Sequence, residues 1–371
     1  MSALGIIFSN IHNETIDELT RKRTSASIPF GGRYRLIDFT LSNFVNAGMS
    51  NVGVLTQKNY QSLMDHVGSG RDWDLSRKNG GLIIFPPYSS YRSDFLYENR
   101  FEALKSVIGY VSKSKEDDVV LTDCDSVNVI NYNDVLEAHL SSGADITIVY
   151  QQKKVTEDLK SHMTINLDET SRVTSATLKA KIDSLANVSL NVWVIKRRLL
   201  QTLLTDAVTT GATSFQRDVI YANIKTLKIY GYNYQGIYLH MNSMENYYHG
   251  NMLLLNKNIR QELFGNPDCR IYTKVRDSAP TRYGKDAQVS NSFIADACEI
   301  EGTVINSILF RGVKVEKGTV ISNCILMQDT IVGSSCKLDH VITDKNVSIR
   351  DRNVLSGCEK VPYYLGKYAT V

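Results

Sequence analysis

Six cysteines are scattered through the chain (Cys124, Cys269, Cys298, Cys324, Cys336, Cys358), and no two of them form a C-x-x-C pair. That absence argues against structural zinc, and thiols spread this way without an export signal point to a reducing compartment. The N-terminus has no basic segment ahead of its first apolar run, so residues 1–8 read as a buried strand and not as a leader. No apolar run is long enough to span a bilayer; the longest are strand-sized. Charge of neither sign dominates, since a net +3 over 371 residues is too little to argue for nucleic acid or an anionic membrane surface. These absences leave a cytoplasmic protein with no nucleic-acid and no membrane partner as the expectation.

A further absence concerns the loop after the first strand. In an open α/β sheet that loop is the usual place for a glycine turn that cradles phosphate. Residues 9–19 contain no glycine, and Glu14, Asp17 and Glu18 would repel a triphosphate.

The chain is longer than one core usually serves. It divides into an α/β domain over residues 1–264, a linker over 265–284 and a repetitive domain over 285–371. In the first part, apolar strand patterns at residues 4–8, 52–56, 81–87, 119–125, 145–150, 163–167 and 188–195 are interspersed with helical spacing at 40–47, 60–67, 98–112 and 247–264. Lys196-Arg-Arg198 opens a further helix through Leu204. Alternation of this kind predicts a largely parallel sheet between helical layers. One stretch stands out, Pro29-Phe-Gly-Gly-Arg-Tyr-Arg35, where paired glycines adjoin Arg33 and Arg35. It reads either as a phosphate cradle or as a tight turn with two solvated arginines. The strand ending Asp123-Cys-Asp125 places two carboxylates where α/β sheets hold metal or substrate, or where a loop carboxylate simply caps a helix. His66, His139 and His162 stand alone in the sequence and read as surface or internally satisfied residues.

Beyond the linker, aliphatic residues recur six apart at Ile294/Ile300, Val315/Ile321, Ile325/Ile331 and Val341/Val347. A second marker (Asn291-Ser292, Asn306-Ser307, Asn323-Cys324, Asp339-His340) repeats at intervals of 15, 17 and 16 residues. Three hexapeptides make one triangular coil, so this is the pattern of a parallel β-helix of four to five coils, a fold suited to subunit association. His340 beside Asp339 would be the base of a hexapeptide-type acyltransferase, or a turn residue. Arg311, Lys314, Arg350 and Arg352 would join Arg33 in an anion site between the domains, or lie on solvated coil faces.

Taken together, Pro29–Asn43, Gly53-Val-Leu-Thr-Gln57, Trp73-Asp-Leu75, Asn79-Gly-Gly81, Pro86-Pro-Tyr88 and Ile308–Val313 closely resemble the glucose-1-phosphate adenylyltransferase family over essentially the whole chain. The resemblance implies a Rossmann-like, GT-A-like mixed-sheet nucleotidyltransferase domain followed by a left-handed β-helix. The family makes ADP-glucose and pyrophosphate from ATP and glucose 1-phosphate for glycogen or starch synthesis, using magnesium. Against the family's motifs this sequence has Asn10, Ile11 and Asn13 at the three cradle glycines, Thr15 at the phosphate arginine and Ser25 at the family lysine just before the proline motif. Residues 99–103 put bulk where small residues make room for the base, and a metal aspartate is replaced by His240. Asp125 matches the other metal aspartate, and Lys179 matches the sugar-phosphate lysine. The pattern is similar to the regulatory D-type subunit. That likeness implies no intact catalytic site, a degraded magnesium site, and effector binding or subunit contact at Arg33 and Arg35. It also implies a catalytic subunit as partner, in a hetero-oligomer of tetramer size that responds to a phosphorylated metabolite.

Overall fold

The computed structural model describes residues 3–9, 11, 16–87, 97 and 99–371. A nine-stranded mixed sheet organises the N-terminal part. The fully buried strand Ala3–Phe8 pairs in parallel with Asp118–Asp123 on one side and Asn51–Leu55 on the other, and Gly81–Phe85 continues the parallel half. Past Asp118–Asp123 the direction reverses. Leu185–Lys196, twelve residues long, runs antiparallel to it and also to Ile146–Lys154 and Thr164–Leu167. Val173–Thr177 completes one branch and Ile229–Asn233 the other. The sheet is therefore mixed, as the family resemblance implied, with the parallel arrangement read from the strand–helix alternation as one half of it. Side chains alternate between faces along each strand. Ile7, Val120 and Val194 accordingly enter one core, and Leu4, Ile6, Leu121 and Trp193 enter the other.

Several helices differ from the sequence pattern for local reasons. Leu36–Asn46 begins four residues early because the Asp38 carboxylate accepts the Arg35 backbone N–H at 3.0 Å and closes the first turn. The helix expected over 98–112 is two, Arg100–Ser106 and Ile108–Lys113, with Asn99 capping the first by accepting from Glu102 N at 2.9 Å. The last expected helix is Met244–Met252 followed by Lys257–Phe264, because Asn256 turns extended and caps the second piece.

The C-terminal part is a left-handed parallel β-helix, in which three parallel sheets of five short strands stack into five coils. Asn291, Asn306, Asn323 and His340 turn the successive corners with positive φ. Asparagine tolerates that conformation better than most residues. His340 is thus the turn residue of the fourth corner, one of the two readings its place in the sequence offered. Ile331, read as an inward residue, is 45% exposed. It pairs in register with Lys314 and Ser348 on the outer column, while Val315, Val332 and Ile349 form the inner one.

One of the three sheets is apolar on both faces. In Ile308–Leu309 and Ile325–Leu326, the second residue fills the coil interior while the first joins the core of the α/β domain. Ile308, Ile325 and Ile342 thus lie in one cluster with Phe30, Phe39 and Tyr247, each adding roughly 1.5–3 kcal/mol of burial. Polar contacts fix the angle of the junction. Tyr248 donates across it to Asn323 O at 2.8 Å, while Tyr247, bonded to Pro29 O at 2.8 Å, braces its helix within the α/β domain. Arg23 grips Asp344 at 2.6 and 2.8 Å, with both side chains 4% exposed. A buried pair broken on one side leaves an uncompensated charge. Asp344→Asn should therefore lower unfolding stability by roughly 3–5 kcal/mol. The check is chemical denaturation, and an unchanged midpoint would contradict the role given to the pair.

Candidate functional site

The paired glycines form the turn of a two-stranded hairpin, Pro29–Phe30 against Tyr34–Arg35. Gly31 and Gly32 both take positive φ, and a side chain on Gly31 would stand 2.9 Å from Leu254. The Gly31 N–H is spent on Asn251 Oδ1 at 3.0 Å, so the turn is braced by the Met244–Met252 helix. Phe293 and Ala295 of the first coil approach Gly32 from the other side. This wedge presents Arg33 and Arg35 toward the β-helix.

A cleft between the domains collects six cations: Arg33 and Arg35 from the hairpin, Lys274 and Arg276 from the linker, and Arg311 and Lys345 from the coils. None of the side chains lining it is acidic. The nearby carboxylates are already engaged. Asp38 accepts from Arg35 N and holds His66 at 2.6 Å, Asp344 is taken by Arg23, and Asp296 takes Arg311 at 3.0 Å. Arg35 donates to Ser62 O at 2.5 Å and Ser62 Oγ at 3.0 Å, which fixes its buried stem. Excess positive charge shows in the ionisation of the lysine. Burial, then Arg35 and Arg23, bring Lys345 down to about 6, while Asp344 opposes the shift. Arg35 is likewise lowered to about 10, by burial first and by Arg23 and Arg276. Burial also lowers His66, more than Asp38 raises it. An arrangement that depresses cations in this way gains by taking up an anion. Of the basic residues the sequence pattern grouped here, Arg311 lines the cleft; Lys314 instead pairs with Glu299 at 2.9 Å, and Arg350 and Arg352 are not among the lining residues. The linker and last-coil contributors, Lys274, Arg276 and Lys345, carried no pattern in the sequence.

The carboxylates at the end of Asp118–Asp123 lie in a different setting. Ser126–Asn128 pairs antiparallel with Tyr238–His240, placing His240 opposite Ser126 and beside Asp125. His240 Nε2 is 3.2 Å from Asp125 Oδ2. His162 packs edge-on against the His240 ring at 4.8 Å and is oriented by Ser189 O at 2.9 Å, so it is no isolated histidine. Burial lowers the His240 pKa, but Asp125 outweighs it and the net shift is upward. Asp123 is forked by Arg100, with Nε at 2.7 Å from Oδ1 and Nη2 on Oδ2. Among the described residues no three His, Cys, Asp or Glu side chains come together as a metal-binding set. Lys179 is exposed, on the bend after Val173–Thr177. Ser25 is buried in a short turn, Ser25–Ser27, whose carbonyl accepts from Ile28 N at 3.0 Å. Asn10, Asn13, Glu14, Thr15 and Tyr88 lie outside the described residues. His139 is also internal, its Nδ1 meeting Thr147 Oγ1 at 2.7 Å, whereas His340 is half-buried beside Asp339 at 3.1 Å on a coil corner. Among the described residues, no helix is long and apolar enough to cross a membrane.

A mixed α/β domain with carboxylates at a strand end, joined to a hexapeptide coil, defines a sugar-nucleotidyltransferase architecture. Residues 15–245 match the nucleotidyl transferase family, and 277–359 match the GlmU-like C-terminal hexapeptide family. The chain is 34% identical over 98% of its length, and 95% of the relative's, to the glycogen biosynthesis protein GlgD of Bacillus subtilis. It is 35% identical to GlgD of Geobacillus stearothermophilus, with 86% and 82% of the two chains covered. With the glucose-1-phosphate adenylyltransferase of Fervidobacterium nodosum it shares 28% identity over 94% and 84% of the chains. The chain belongs to the bacterial glucose-1-phosphate adenylyltransferase family and is similar to the GlgD proteins within it.

The depressed lysine gives the cleft a pH signature. Below its folded value of about 6, Lys345 is already charged; above it, a bound dianion must bring a proton with it. Sulfate, which stays a dianion throughout, should bind more weakly as pH rises from about 6 to 8, by up to about tenfold per unit. Lys345→Gln should flatten that slope. Calorimetric titration of both proteins checks it, and equal slopes would contradict the assignment.

Proposed function

We propose that this chain is a regulatory, catalytically deficient subunit that associates with a catalytic glucose-1-phosphate adenylyltransferase subunit and modulates ADP-glucose formation for glycogen synthesis. The carrying observation is how charge is distributed between the two candidate sites. At the strand end, where the chemistry of this fold would occur, carboxylates are matched by Arg100 and His240 from the chain itself. In the interdomain cleft, six cations face one another with no acidic side chain among them. The first arrangement has no charge left for a reacting phosphate and its metal. The second calls for a phosphorylated metabolite.

Magnitudes support the deficiency. Phosphoryl transfer depends on positioning and on charge stabilisation. Removing one preorganised stabiliser costs about 10²–10³ in rate, and this sequence departs from the family at the phosphate cradle, its arginine and a metal ligand together. Arg33 is exposed at the mouth of the cleft and makes a cation–π contact with Tyr34 at 5.7 Å, so it is available to a ligand or a partner. The names of the D-type relatives support a place in glycogen biosynthesis.

Mixing the protein with a catalytic subunit tests this reading. The mixture should differ from the catalytic subunit alone in rate and effector response, and the two should co-purify. The chain alone, given ATP, glucose 1-phosphate and magnesium, should release no pyrophosphate above background. Arg33→Ala should blunt activation of the mixture and leave co-purification intact. A mixture that behaves as the catalytic subunit alone, without co-purification, would overturn the regulatory reading; pyrophosphate release by the chain alone would overturn the deficiency.

A further inference from the structure

We propose that Arg100 and His240 take the place of a divalent cation at the strand-end carboxylates, so that this site is closed to metal by the protein's own groups. The inference rests on the deficiency proposed above and supplies a physical cause for it. Magnesium requires several oxygen ligands in near-octahedral order. Here both oxygens of Asp123 are held by the Arg100 fork, and Asp125 Oδ2 by His240 at 3.2 Å. Arg100 also lies close enough to Asp125 to feel its charge.

The placement of Arg100 is built into the fold. It is the first residue of Arg100–Ser106, whose start is fixed by the Asn99 cap. The next residue, Phe101, is buried and meets Phe215 edge-on at 6.4 Å. A bidentate guanidinium–carboxylate pair on a capped helix start is a directional and strong contact. It also neutralises a carboxylate that is itself 4% exposed and would otherwise repel Asp125. On the other side, strand pairing fixes His240, and His162 packs against its ring, which limits movement away from Asp125. Arg100 is therefore held by a capped helix start and His240 by its strand pairing, and a metal would have to displace both.

The test measures binding of Mn²⁺ alone, followed by loss of the free-ion paramagnetic resonance signal and by thermal melting, with the full-length protein. Wild type should leave the signal unchanged at millimolar Mn²⁺ and show no shift in melting temperature. Arg100→Ala/His240→Asp removes the guanidinium and adds a carboxylate. This variant should bind one equivalent and melt several degrees higher with Mn²⁺ than without. Should that variant not fold, Arg100→Gln retains a hydrogen bond to Asp123 and should bind Mn²⁺ more tightly than wild type by at least several-fold. Binding of one equivalent by wild type as tight as by the variant would overturn the proposal. So would a folded variant, by circular dichroism, that binds none. Neither outcome bears on the mixed-subunit assay, which tests the regulatory role separately.

Discussion

The junction between the two domains rests on one sheet of the β-helix being apolar on both sides. Adjacent pairs such as Ile308-Leu309 and Ile325-Leu326 send one side chain into the coil and one into the α/β core. A single continuous cluster therefore runs from Phe30 and Tyr247 to Ile342. The Arg23–Asp344 pair and the Tyr248 hydroxyl on Asn323 O then fix the angle of the joint. The glycine hairpin is the wedge in this joint. Its positive-φ turn lets the backbone pass between Leu254 and the first coil, and the arginines that follow are forced toward the last coils.

Charge then separates the two candidate sites. In the cleft, packing buries Lys345 beside other cations, and burial first, then Arg35 and Arg23, hold it near 6. At the strand end, packing brings opposite charges together and matches them. A cluster of unmatched cations is costly without a ligand, whereas a matched pair resists one. On the readings proposed above, the same fold presents an open anion site and a carboxylate site closed to metal, and the difference lies in a few side chains.

Much of the architecture was legible in the sequence because it is written in periods. Hexapeptide pulses and corner asparagines revealed the coils, and glycine pairing revealed the hairpin turn. Errors came where neighbouring positions compete. Val332, not Ile331, faces inward, because strand register is decided by stacking on the coils before and after. Lys274 and Arg276 sit in a linker with no period, and Lys345 in a coil position where lysine is ordinarily solvated. Only the closing of the domain interface makes these three neighbours of Arg35. Arg100 was read as bulk in place of small residues; its charge became meaningful once the fold set it against Asp123.

The central claim, that the chain keeps an anion site and has closed its metal site, can be examined in one crystal. Anomalous scattering from crystals soaked in selenate and Mn²⁺ distinguishes the two ions at their own absorption edges. The account predicts a selenium peak in the cleft among Arg33, Arg276 and Lys345 and no manganese peak at Asp123 and Asp125. A manganese peak at those carboxylates, with the cleft empty of selenate, would contradict it.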